Sequence, residues 1–230
     1  MRVEIVRRDI KNLHVGVYPP NGRVRVAAPM RLDDEAVRLA LVARLGWINR
    51  QRRVFQAQER QSEREMTSGE THYVSGQRCR LKVIPHDGPA RLQLRGNRSL
   101  VMHVRPQLHA AQRLAVLERW YRARLREVAG ELLAHWMPVL KVELTAWGIK
   151  KMKTRWGTCN PEGRRLWLNL ELAKKPPQCL EYIVVHELVH LLERHHNERF
   201  VALMDRWLPD WRLRREVLNR SPLAHEEWAY

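Results

Sequence analysis

One segment constrains this chain more than any other: Pro176-Pro177-Gln178-Cys179-Leu180-Glu181-Tyr182-Ile183-Val184-Val185-His186-Glu187-Leu188-Val189-His190-Leu191-Leu192. Two prolines suit the first turn of a helix, where a missing N–H costs nothing. Leu180, Ile183, Val184, Leu188, Leu191 and Leu192 then give that helix a side to bury. Within it stand two histidines and a glutamate, which an apolar helix tolerates only for a reason. His186 and His190 are four residues apart, so they share one helix face and both imidazoles reach one ion. Glu187 falls beside that ion, where a carboxylate takes a proton from water and returns it to a leaving group. Zinc suits this arrangement, because it lowers the pKa of its bound water to about 7. The expectation is a hydrolase with one Zn²⁺ per chain and Glu187 as general base.

A catalytic zinc site takes three protein ligands and keeps a fourth position open. A straight helix carries residues 195 and 196 away from the face of His190, so a turn must intervene. Asn197, which tolerates the left-handed region, is the expected helix terminator. His196 lies six residues beyond His190, the spacing of the extended HExxHxxGxxH motif. Glu193 stands where that motif has its glycine, so the metzincin turn itself is not expected. His196 is the leading third ligand, with His195 and the downstream Asp205 as rivals.

Upstream, Lys151, Lys153 and Arg155 alternate with Met152, Thr154 and Trp156. In a strand, that puts cations on one face and mostly apolar groups on the other. The turn Asn160-Pro161-Glu162-Gly163 returns the chain through Leu166, Leu168 and Leu170. Residues 150–157 are therefore expected as a strand. Arg155 has a planar fork suited to an oxyanion or a phosphate, or else to a structural ion pair. Cys159 is expected to pack as a small hydrophobe, since a thiolate ligand would close the metal site.

The fold class expected is α+β. Residues 1–105 read as β-rich, with Val15, Val17, Val24 and Val26 alternating about Pro19-Pro20-Asn21-Gly22 and strand-like runs over 72–104. A helix capped by Asp33 or Asp34 lies between them, with a charged run over 50–70 that is either its solvated end or a loop. Residues 106–230 read as a helical, site-bearing part. Pro106 opens a long helix with the stripe Leu114, Leu117, Tyr121, Leu125, Val128 and Leu132, ending near Pro138.

Charge bears on partners. Against 25 Asp and Glu stand 42 Lys and Arg, a formal net charge of +17. Such a field draws in DNA, RNA, nucleotides or acidic surfaces, unless arginine serves only as the solubilising residue. Cys79, Cys159 and Cys179 are an odd set without a CxxC pair, which fits a reducing compartment. No run approaches the ~18 apolar residues of a membrane span, and MRVEIVRRDIKNLHV has no apolar leader core. A cytoplasmic location is the expectation, with no membrane partner. The nine tryptophans include Trp207, Trp211 and Trp228 as candidates for exposure.

The run from Lys153 to Phe200 resembles the YgjP-like metallohydrolase family, which is similar to SprT-type DNA-associated proteases and other minimal zinc proteases. The shared features are Arg155-Trp156-Gly157-Thr158-Cys159, the pair Leu168-Asn169, Tyr182 through Leu191, His196 and Phe200. Ile183 replaces a valine, Val201 stands where tryptophan is usual, and His195 beside His196 is a departure. The resemblance implies a zincin-like, zinc peptidase-like core over residues 106–230, with the β-hairpin laid over the active-site helix, His186, His190 and His196 as ligands and Glu187 as base. In zinc proteases of this kind an edge strand above the metal pairs with an extended peptide, and similarity to them implies that role for residues 150–157, with Lys151, Lys153 and Trp156 on the substrate. Two functions follow as expectations: a zinc metallopeptidase acting on proteins, nucleic-acid-associated ones included, or a nucleotide or phosphoanhydride hydrolase on the same scaffold.

Overall fold

The computed structural model describes residues 3–18, 22–57, 65–152 and 155–220; Lys153, Trp228 and the turn residues 19–21 lie outside them. The chain divides into two compact units, one within residues 1–63 and the other within 64–221. No helix among the described residues is long and apolar enough to cross a membrane.

In the first unit β1 (Val3–Arg8), β2 (His14–Tyr18) and β3 (Arg23–Pro29) form a sheet in the order β1-β3-β2. Val15 faces Val26 and Val17 faces Val24 across the antiparallel hairpin, as their alternation predicts. Val24, Val26 and Ala28 join Val37, Leu41 and Ile48 in a small core. Helix α1 (Asp34–Val42) starts at Asp33, whose carboxylate accepts the Ala36 N–H at 2.7 Å. After a break, α2 (Leu45–Ala57) continues into the charged run, which is thus a helix end as far as residue 57.

The second unit opens with a four-stranded sheet. Its strands β4 (Thr71–Val74), β5 (Gln77–Pro85), β6 (Arg91–Arg95) and β7 (Ser99–Val104) lie in the order β4-β5-β7-β6. Val74, Cys79, Leu81, Leu100 and Met102 line its buried face, in one core with Leu117, Tyr121 and Leu125 of α3 (Ala110–Leu140). The Tyr121 hydroxyl also donates to the Tyr73 carbonyl at 2.6 Å. The division expected near residue 105 therefore falls inside this unit. The apolar face of 71–104 needs a cover, and the helix after it supplies one. Helix α3 begins at His109, in a capping box with Gln112, and not at Pro106, which sits in the preceding turn. It runs past Pro138 to Leu140 and ends on Lys141 in the left-handed region (φ 56°).

Next come β8 (Ala146–Lys150), β9 (Gly157–Asn160) and β10 (Arg165–Asn169), ordered β8-β10-β9. Helix α4 (Pro177–Val189) follows a short 3-10 turn at Leu170–Lys174, then α5 (Glu198–Trp207) and α6 (Trp211–Arg220). The expected strand over 150–157 is not formed. Lys150 ends β8 and Gly157 begins β9, while among the described residues between them 151, 152, 155 and 156 lie outside any ladder. The cause is Asn169, a buried side chain whose amide donates to the carbonyls of Met152 and Arg155, both at 2.8 Å. Those carbonyls are taken from a ladder and tied to a loop.

Candidate metal centre

Helix α4 forms for the reasons its sequence suggests. Pro177 occupies its first turn, and Leu180, Ile183, Val184 and Leu188 are buried. It is also held from outside. The Trp136 indole donates to Glu181 at 3.1 Å, and Glu181 also pairs with Arg214 of α6. The helix stops at His190. The chain then turns through Leu191–Asn197 with no residue at positive φ, so a glycine at position 193 is not required. Asn197 does not terminate α4. It caps α5, accepting the Phe200 N–H at 3.0 Å, since an extended asparagine offers its side chain to a helix's orphan donors.

That turn brings three histidines together. One ring nitrogen from each of His186, His190 and His196 falls within 4.8 Å of the others. The Nε2 atoms of His186 and His196 face each other at 3.1 Å. Two tetrahedral zinc ligands at ~2.0–2.1 Å would stand about 3.3 Å apart, so this spacing fits a shared ion. The Nδ1 of His190 lies 3.1 Å from the Glu193 carbonyl. A carbonyl only accepts, so Nδ1 carries the proton and Nε2 keeps its lone pair. Burial, then the neighbouring His190 and His196, push the His186 pKa down to about 3. Burial also lowers that of His190. Neutral imidazoles are what a metal needs. Phe200 is buried against all three rings, with centroids 4.7–5.0 Å away. The donor set therefore fits a zinc ion.

The rival ligands are engaged elsewhere. The His195 backbone N–H donates to the Glu193 carboxylate at 3.1 Å, and its ring is not in the cluster. Asp205 accepts from the Trp211 indole at 2.8 Å and pairs with Arg212, whose hydrogen bond holds its carboxyl below the usual range.

Glu187 is 6% exposed and turned toward β9. Burial raises its pKa to about 7, against the charge of Arg155 and a hydrogen bond from the Cys159 N–H. A Cβ on Gly157 would lie 2.7 Å from both Cγ and Oε1 of Glu187. Only glycine lets strand and carboxylate approach so closely. A cleft of about 1050 Å³ lies away from these histidines, while a second of about 920 Å³ contains them. Arg155, Trp156, Cys159 and Glu187 line the second cleft together with Tyr182, Arg194 and Arg215. Sequence reasoning had not singled out Arg215. Tyr182 is held by an edge contact with His186 and by the Trp211 ring stacked on it at 6.3 Å. Trp211 is accordingly buried, not exposed.

Of the expected substrate contacts, Trp156 and Arg155 line the cleft and Lys151 does not. Lys151 pairs with Glu118 at 2.8 Å. Trp156 also packs on the core, with the buried Lys175 ammonium 5.3 Å from its ring centroid. Burial takes the Lys175 pKa down to about 8, with Glu171 opposing. Cys159 is half-buried in the cleft wall and not a ligand. Burial and the Glu187 charge push its thiol up to about 12, which keeps it protonated.

The chain matches the YgjP-like metallopeptidase domain over residues 12–221. Two solved structures are similar over 40% of the chain. The metallopeptidase zymogen abylysin of Pyrococcus abyssi is 21% identical with a TM-score of 0.36, over 90% of its own length. The zymogen jannalysin of Methanocaldococcus jannaschii is 20% identical with a TM-score of 0.33, over 93% of its length. No curated protein matches.

Proposed function

The chain belongs to the YgjP-like metallopeptidase family, and we propose that it hydrolyses peptide bonds with one zinc ion held by His186, His190 and His196. The observation that carries this reading is the buried Glu187 carboxylate, wedged under the edge strand β9 beside the three imidazoles. A bound zinc ion supplies Lewis acidity to the scissile carbonyl and to the attacking water. Glu187 accepts that water's proton and hands it to the leaving nitrogen. Arg155 and Arg215 face the same cleft and supply positive charge for a developing oxyanion. The edge of β9, in place of 150–157, offers backbone groups to an extended substrate. Free thiols at Cys79, Cys159 and Cys179 support a cytoplasmic setting.

Zinc-loaded protein is expected to cut an unfolded protein at positions that mass spectrometry can assign, and a chelator is expected to stop it. Nucleotide or phosphoanhydride hydrolysis is the second reading, favoured by Arg155, Arg194 and Arg215 on the cleft wall. Turnover of a nucleoside triphosphate without any protein cleavage would select it over the first.

Gly157→Ala tests the wedge. The added methyl must displace Glu187 or β9 by a few tenths of an ångström or more. A shift on the order of 1 Å costs roughly a hundredfold in rate, so that loss is expected with metal content unchanged. Activity within about threefold of wild type would mean that the close approach is not needed.

A further inference from the structure

The sheet β4-β5-β7-β6 has a second face, away from its core, that the metal centre does not use. Alternation puts Arg78, Arg80 and Lys82 of β5 and Arg91 and Arg95 of β6 on that face. All five are exposed, while their neighbours Cys79, Leu81 and Leu92 are buried. Register gathers them. Arg80 and Arg95 both stand opposite Ser99 of the intervening β7, about 9.6 Å apart, and Lys82 and Gln93 flank Val101 in the next row but one. No Asp or Glu occurs in the four strands. Among the described residues no ion pair engages Arg80, Lys82, Arg91 or Arg95. None of the five cations lines the metal cleft.

Two aromatic rings share the face. Tyr73 of β4 lies opposite Arg78, whose Nε donates to the tyrosine hydroxyl at 3.0 Å. His103 of β7 lies opposite Arg91 and meets His86 edge-on at 5.8 Å. Burial and the charges of Arg91, His86 and Arg95 lower the His103 pKa, so it faces strands as a neutral ring.

We propose that this face binds single-stranded nucleic acid, with phosphates on the arginine and lysine rows and bases on Tyr73 and His103. A row of cations without acids fits a sugar-phosphate chain and no neutral partner. An exposed sheet face with aromatic rings among the cations suits unstacked bases better than the rigid curve of a duplex. The face does so whether or not the cleft hydrolyses peptides. It would hold the enzyme where nucleic-acid-bound proteins are its substrates.

The test is fluorescence anisotropy of the full chain with a labelled strand of roughly 20 nucleotides, longer than the ~4–16-nucleotide footprint of single-strand modules. DNA strand, RNA strand and DNA duplex are compared between about 50 and 200 mM salt. The variant Arg80→Gln/Lys82→Gln/Arg91→Gln/Arg95→Gln is set against Arg38→Gln/Arg44→Gln/Arg50→Gln/Arg53→Gln, which removes the same charge from exposed positions on the helices of the first unit and the turn between them. The sheet variant is expected to bind a single strand at least about thirtyfold more weakly, with a log–log salt slope shallower by about 3. The helix variant should stay within about threefold. Tyr73→Ser should weaken binding about tenfold with the slope unchanged, and the tighter of the DNA and RNA arms identifies the strand. Equal losses in the two charge variants, no binding by wild type, an unchanged affinity in Tyr73→Ser, or a preference for duplex would each overturn the proposal.

Discussion

His196→Ala protein is expected to lose stoichiometric zinc, while His195→Ala and Asp205→Ala proteins keep it. Elemental analysis of purified, reconstituted chains reads the difference directly. The size of the loss follows from general precedent: even groups that only orient a ligand are worth roughly 10–100-fold in metal affinity, and a ligand is worth more. The direction follows from geometry. His196 Nε2 sits 3.1 Å from His186 Nε2, whereas Asp205 is committed to Trp211 and Arg212. His186→Ala is expected to behave as His196→Ala does. Retention of one zinc in His196→Ala, with loss in His195→Ala or Asp205→Ala, would move the third ligand and dismantle the site described here. Loss in all variants alike would point to unfolding, which circular dichroism separates from ligand removal.

Much of this centre was legible because it is local. The four-residue step between His186 and His190 needs only a helix, and the apolar spacing of residues 180–192 supplies one. His196 was legible by its distance along the chain, since any turn that reverses the helix end returns a residue near that position. The conformation of the turn was not. Asn197 suits both a left-handed terminator and an N-cap, and only the next helix decides between them.

What sequence missed is long-range. Lys151 to Trp156 alternate as a strand does, yet the side chain of Asn169, 14 residues beyond Arg155, captures the backbone there. Gly157 reads as part of a hairpin, and its closeness to Glu187, 30 residues later, depends on how β9 lies against α4. Arg215 enters the cleft only because Trp211 stacks on Tyr182 and Arg214 pairs with Glu181, which dock α6 on α4. The strands of 71–104 announce a buried face without saying which element covers it, and the helix that does so, α3, begins only after residue 105. The same alternation, read for its other face, carries the arginines of the proposed strand-binding surface.

Glu187→Gln is expected to lower peptide hydrolysis by roughly 10²–10⁴-fold with zinc content unchanged. Glutamine keeps the shape, still accepts the Cys159 N–H, and cannot take a proton from water. The same substitution should raise the stability of the metal-free protein, and the sign follows from burial. Glu187 ionises near pH 7 in the folded chain and near 4.5 when unfolded, so between those values the folded state binds more protons. Its stability therefore falls as pH rises through that window, and the full cost is present above pH 7. A neutral glutamine does not carry that cost. At pH 8 metal-free Glu187→Gln is expected to be more stable than wild type by about 1–3 kcal/mol in denaturant titrations, and the gap should close by about pH 4. A buried group that weakens the fold while serving the reaction is the signature of a residue kept for chemistry. If Glu187→Gln were inactive and also less stable, the loss of activity would be a packing defect. If it were fully active, the proton would have another acceptor, and the wedge between Gly157 and Glu187 would be architecture alone.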